Sequence, residues 1–174
     1  MSTDRHEAVT EQPSYSILQR GIESHVLPVT EQYGLGVLVW SPLASGWLSG
    51  AIRAGQDITT SRSTFMPQRF DISIPSNRAR LNEVEQLAKV ADEAGLTMIQ
   101  LALGFVTAHP AVTSAIIGPR TLDHLHSQLA AADTVLSADV LDVIDAIVAP
   151  GVDLAAHEKF DTPPALLDAA RRRR

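Results

Sequence analysis

Short, continuously apolar runs alternate along the chain with longer stretches of helical period. Residues 35–40 read Leu-Gly-Val-Leu-Val-Trp, with no polar side chain at any position. A run that short and that apolar lacks the in/out alternation of a half-wet strand and predicts one buried on both faces, as in parallel sheets. Residues 112–117, Val-Thr-Ser-Ala-Ile-Ile, form a second β-rich run, and residues 7–12 a third candidate strand. Ile22, Val26, Val29 and Tyr33 lie four, three and four apart, which predicts a helix over 22–33, stopped by Gly34. Leu81, Val84, Ala88, Ala91 and Ala94 share one face of a helix over 78–94 that ends at Gly95, with Glu85 and Lys89 as a favourable i,i+4 pair. Thr97 and Gln100 form a capping box for a helix over 97–108, closed by Pro110. Thr121 caps a helix over 121–131, and Ser137 one over 138–148. Residues 51–77 have no clean period and predict a long excursion with at most short helical turns, a kind of loop that is often functional.

Strands alternating with helices predict parallel βα units. The fold class is therefore α/β, with three strands near 7–12, 35–40 and 112–117, adjacent and in sequence order, their outer faces covered by the helices. A closed eight-stranded barrel takes roughly 250 residues, more than the 174 present, so the chain is too short for one. Residues 1–151 read as one unit and 152–174 as an extended tail ending in four arginines.

Composition narrows the chemistry. Apolar residues make up 45% and mean hydropathy is +0.05, which argues against disorder along the whole chain. Cysteine is absent, excluding disulfides, thiolate nucleophiles and Cys-ligated metals. A net charge of -6 argues against broad binding to nucleic acid or anionic lipid. No apolar run reaches the ~18 residues of a membrane span, and the start Met-Ser-Thr-Asp-Arg-His-Glu is not that of a signal peptide. A soluble cytoplasmic protein without a membrane partner is expected. Of the 14 basic residues only Lys89 and Lys159 are lysines. His124 and His126 differ by two and splay apart on a helix, and no His-Glu-x-x-His occurs, so no metal site is expected. The stretch from Val90 to Thr97 followed by a helix imitates a helix-turn-helix, but the second helix contains no Arg or Lys, so DNA binding is the remotest reading.

Polar features follow each of the three strands: Gln12, the run from Trp40 through Gly50, and Gly118 with Arg120. In parallel α/β folds ligands bind at the carboxyl ends of strands. An amide, an indole, a glycine- and serine-rich loop and a guanidinium ahead of a capped helix together suit a dinucleotide. Each taken alone is also compatible with ordinary packing or surface.

The segments Glu11–Gly21 (EQPSYSILQRG), Gly34–Gly50 (GLGVLVWSPLASGWLSG) and Ser114–Asp133 (SAIIGPRTLDHLHSQLAAAD) resemble the aldo-keto reductases, in particular bacterial members of the potassium-channel β-subunit-like branch. The resemblance runs in order from about Val9 to Pro164 and falls on strands six to eight of the family's (β/α)8 barrel. It implies NADP(H) as cofactor, carbonyl reduction without metal, and a site carried over residue by residue. Gln12 matches the residue that holds the nicotinamide carboxamide, and Trp40 the aromatic that stacks on the nicotinamide. Ser41, Leu43, Ser45 and Gly46 match the loop around the pyrophosphate, with Leu48 and Gly50 completing its motif. Gly118 and Arg120 match the turn that grips the 2′-phosphate. His124 and Gln128 stand where relatives carry a Gln or Glu and an Asn, a departure that bears on adenine contacts. The family's catalytic Asp, Tyr, Lys and His belong to its N-terminal half. Tyr15, Tyr33, Lys89 and Lys159 match none of them, so no catalytic residue is assigned. The resemblance thus implies a cofactor-binding half, inactive alone. It leaves open a remnant of a shortened gene, a mis-annotated start, the cofactor half of a split enzyme with a separate partner, and a non-catalytic nucleotide-binding or scaffold protein, with a complementary N-terminal barrel half or self-association as the partner expected.

Overall fold

Three short parallel strands stand side by side in chain order: β1 (Thr10–Glu11), β2 (Gly36–Val39) and β3 (Ser114–Ala115). The computed structural model describes residues 8–154. Thr10 is in register with Gly36, and Leu38 with Ser114. Adjacency, order and direction follow the sequence pattern, while the strands are shorter than their runs. Glu7, expected in the first strand, lies outside the described residues, as does the tail beyond 154. Pro13 has no N–H and ends β1, yet its carbonyl still accepts the Trp40 N–H at 3.0 Å. Leu35 donates its N–H back to Thr30 of the preceding helix (2.9 Å) rather than to the sheet.

The helices are α1 (Val26–Tyr33), α2 (Ser61–Phe65), α3 (Pro75–Glu93), α4 (Met98–Ala108), α5 (Leu122–Leu129) and α6 (Ala138–Ile147). Thr60, Thr97, Thr121 and Ser137 cap α2, α4, α5 and α6 with their side chains. The helix expected over 22–33 forms in two pieces, a 3₁₀ turn at Gly21–Ser24 and then α1, with His25 off helical geometry between them. That break shifts the helical phase. Leu27 and Thr30 are buried, whereas Val29 and Tyr33, expected on the inner stripe, face solvent. Thr30 is buried at low cost because its hydroxyl donates to the Leu27 carbonyl at 2.9 Å. On α3 the expected face is buried except for Ala94. The excursion is a loop with two short helical pieces, α2 and a 3₁₀ turn at Pro67–Arg69.

Val37 and Val39 are fully buried beneath the helices, whereas Leu38 on the other face of β2 is only partly covered. Burial on both faces, expected from the run, is therefore one-sided among the described residues. Each fully buried valine contributes roughly 1.5–3 kcal/mol. Helix α4 is buried at every position from Leu101 to Val106 and packs against α3, α5 and β3. It meets α3 at 93°, the angle of a helix-turn-helix, but a recognition helix needs an exposed face. No single helix among the described residues is long and apolar enough to cross a membrane.

The loop after β1 belongs to the core: Tyr15, Ile17 and Leu18 are fully buried. Arg20, itself buried, donates to Glu23 (2.8 Å), to Asp145 (2.7 Å) and to the Val148 carbonyl (2.6 Å). Residues past α6 zip onto the same loop: Arg20 N–H donates to Val152 and Leu154 N–H to Leu18, both at 3.0 Å. Hydrogen bonding to the main fold thus runs through 154.

Candidate cofactor site

Because the strands are parallel and adjacent, the segments that follow them emerge at one end of the sheet. Gln12 stands exposed one residue past β1, Trp40 half-buried one residue past β2, and Gly118 and Arg120 exposed past β3. The Trp40 backbone is held on both sides: its N–H donates to Pro13 and its carbonyl accepts from Tyr15 (3.2 Å).

The loop after Trp40 is conformationally unusual. Ser41, Ala44 and Ser45 have φ of 59, 47 and 60 and are the non-glycine residues with positive φ among those described. Left-handed backbone at three such positions stores strain that surrounding contacts must hold, on the order of 1–3 kcal/mol each. Gly46, at φ 104, has the one conformation here that demands glycine. The hold comes from packing behind the loop. Trp47 is buried and stacked on Phe70, ring centroids 5.5 Å apart, with the Arg80 guanidinium 5.0 Å from the Trp47 ring centroid. Leu48 is fully buried, so its part in the loop motif is packing.

Three of the loop's own amides are engaged internally. Ala44 N–H donates to the Ser41 carbonyl, Gly46 N–H to Leu43, and Ser45 N–H to Ser41 Oγ at 3.2 Å. A phosphate would therefore meet side chains here rather than these amides. Ser41 Oγ and Ser45 Oγ act as acceptors within the protein and keep their O–H groups as donors. Arg62, from α2, reaches Ser45 Oγ in a long contact of 3.4 Å. Sequence reasoning missed Arg62 because it sits in the aperiodic excursion; the signal was the Thr60/Ser63 capping box around it.

Arg120 enters α5, whose Thr121 cap accepts the His124 N–H at 3.2 Å. Apart from Gly118 and its two chain neighbours, no atom lies within 4 Å of where a Cβ would stand on Gly118, so the turn has an open face. Asp123 lies in the first turn of α5. His124 is exposed, whereas Gln128, one turn on, is buried and faces the fold. The hydroxyls of Ser41 and Ser45 and the guanidinium groups of Arg62 and Arg120 form a donor set that fits a phosphorylated dinucleotide.

Neither described tyrosine is offered as an acid at this end. The Tyr15 phenol is buried and donates to Glu23 Oε1 at 2.7 Å. Burial, with the Glu23 hydrogen bond, pushes its pKa far above the usual phenol range. Tyr33 is exposed at the end of α1, before β2 begins, and so lies toward the opposite end of the sheet.

Comparison with known proteins gives a consistent result. The model of the Aldo/keto reductase family matches residues 1–149. The uncharacterized oxidoreductase YrpG of Bacillus subtilis is 37% identical over 139 residues, covering 80% of this chain and 40% of that protein. A probable voltage-gated potassium channel subunit beta of Oryza sativa is 33% identical over 143 residues, covering 80% and 44%. The solved glycerol dehydrogenase of Gluconobacter oxydans superposes with a TM-score of 0.68 at 22% identity, over 88% of this chain and 46% of that one. The chain thus spans about two fifths of the length of these curated relatives, and its open parallel sheet is part of a (β/α) barrel.

Proposed function

Because the chain belongs to the aldo/keto reductase family, we propose that it is the NADP(H)-holding part of a carbonyl oxidoreductase whose acid–base groups come from a complementary barrel half. The observation that carries this reading is the convergence of Gln12, Trp40, the strained Ser41–Gly46 loop and Arg120 at one end of a parallel sheet. The nicotinamide cofactor, when bound, supplies or accepts hydride. Gln12 would offer its amide to the carboxamide, and the Trp40 indole would meet the nicotinamide ring. Ser41 and Ser45 donate O–H bonds to the pyrophosphate, with Leu43 and Gly46 shaping the loop and Arg62 adding charge. Gly118 gives room for the 2′-phosphate, which Arg120 grips. His124 lies on the adenine side, whereas Gln128, buried one turn on, faces the fold. Side-chain donors suit this task because hydrogen bonds to charged groups are about twice as strong as neutral ones.

The two flanks of the sheet support a complementary partner. Val9 beside β1, with Val29 and Tyr33 on α1, is exposed on one flank. Ile116, Leu122 and Leu129, on and after β3, are exposed on the other. β1 and β3 are the edge strands of the sheet, and exposed strand edges recruit further strands.

Calorimetry and a turnover assay test the reading together. The 174-residue chain should bind NADPH more tightly than NADH and should not oxidise NADPH with 4-nitrobenzaldehyde. Turnover should appear on adding a complementary barrel half. Absence of any NADPH preference overturns the cofactor assignment. Binding without turnover, even with the half added, favours a non-catalytic nucleotide-binding protein.

A further inference from the structure

We propose that Tyr15 is a positioning residue for Trp40: its phenol, tied to Glu23, fixes the backbone segment that holds the indole at the sheet end. The assignment of that indole to the nicotinamide rests on the cofactor reading above; the positioning itself does not.

Trp40 stands past the last residue of β2, where the regular ladder no longer constrains it. Its backbone is instead clamped by residues 13–15, through the Pro13 carbonyl and the Tyr15 N–H, with Ser14 as its bridge partner. Pro13 has no N–H and cannot extend the ladder outward, so the clamp must be held from behind. Tyr15 does this. Its hydroxyl donates to Glu23 Oε1 at 2.7 Å, its ring tilts against Phe105 with centroids 5.7 Å apart, and it stands perpendicular to the His109 ring with centroids 6.1 Å apart.

Glu23 is itself immobilised. Its carboxylate accepts Arg20 Nε at 2.8 Å and the Gly151 N–H at 3.1 Å. Arg20 is held in turn by Asp145 and the Val148 carbonyl, and lies 5.0 Å from the Phe105 ring. The phenol is therefore fastened to α4, to α6 and to the segment after α6. Because its pKa is raised, it remains a donor at every working pH. An indole swings about its Cα, so a small slip of residues 13–15 becomes a larger displacement at the ring.

The chain has two tryptophans, and Trp47→Phe leaves Trp40 as the sole indole. In that background three readings are taken: acrylamide quenching and fluorescence anisotropy of the free chain, and quenching by saturating NADPH. Tyr15→Phe should raise the acrylamide quenching constant about twofold and lower the anisotropy. It should cut the NADPH quench amplitude by at least half and weaken NADPH binding about three- to tenfold. Glu23→Gln keeps an acceptor for the phenol and should fall between wild type and Tyr15→Phe; it also serves as the test variant if Tyr15→Phe does not fold. Leu27→Ala opens a cavity under α1 and destabilises without touching the clamp, so its Trp40 signals should stay at wild type. A folded Tyr15→Phe chain with unchanged acrylamide constant and anisotropy overturns the proposal. If wild type shows no quenching by NADPH, the cofactor reading fails, and the two free-chain readings still decide the role of Tyr15.

Discussion

The buried ion cluster behind the loop after β1 permits a quantitative test. Replacing Glu23 with alanine removes a carboxylate that is only 12% exposed and serves three donors, the Tyr15 hydroxyl, Arg20 Nε and the Gly151 N–H. The Arg20 side chain, 5% exposed, cannot turn to water in compensation. Breaking a buried pair by deleting one partner costs about 3–5 kcal/mol. Arg20 keeps Asp145 and the Val148 carbonyl, which places the loss near the lower end, about 3 kcal/mol. Asp145 is 43% exposed and screened by solvent, so Asp145→Ala should cost only about 1 kcal/mol or less. Against a total stability of about 5–15 kcal/mol, the Glu23 loss is large. It corresponds to a fall in Tm of roughly 6–12 °C for a domain of this size. Urea unfolding followed by circular dichroism, at one fixed chain concentration, reads the difference from the midpoint. Arg20→Met combined with Glu23→Ala removes both charges and should recover part of the loss. A Glu23→Ala chain within about 0.5 kcal/mol of wild type would refute the argument, because the carboxylate would then have to be hydrated in the native state.

Three further outcomes are expected. Arg120→Ala should abolish the preference for NADPH over NADH seen by calorimetry, a loss of about 1.5–3 kcal/mol for a charged hydrogen-bonded contact; an unchanged preference would remove Arg120 from the site. Burial is the main cause that holds the pKa of His109 below the usual histidine value, and its Nδ1 accepts the Ala111 N–H at 3.2 Å, which requires that nitrogen unprotonated. A depressed folded pKa means that the unfolded chain binds more protons, so stability should fall as pH drops from about 7 toward 5. His109→Gln should flatten that part of the profile, measured as urea midpoint against pH. The flanks carrying Val9, Tyr33, Leu122 and Leu129 should make the isolated chain self-associate or bind a hydrophobic dye; a sharp monomer in sedimentation without dye binding would count against open flanks.

Local chemistry was legible from the residues. Gly34 stops α1, the Thr97/Gln100 box starts α4, and the apolar runs are parallel strands in the expected order. Each depends on neighbours within a few positions, where propensity, capping and period act. The placement of the candidate residues was legible to the same depth: Gln12, Trp40, the Ser41–Gly46 loop and Arg120 each follow a strand, and parallel pairing brings strand ends together.

Tertiary structure decided the rest. The phase of α1 depended on a break at His25, so Leu27 and Thr30, rather than Val29 and Tyr33, turned inward. One-sided burial of β2 depends on what covers the sheet, which no strand can encode for itself. The internal use of the Ala44 to Gly46 amides came from a loop folding on itself. Arg62 reached Ser45 across 17 positions, and Arg20 reached Asp145 across 125. Period and capping act over one or two turns of chain, whereas contacts of that span form only when packing of the whole core has set the distance between elements.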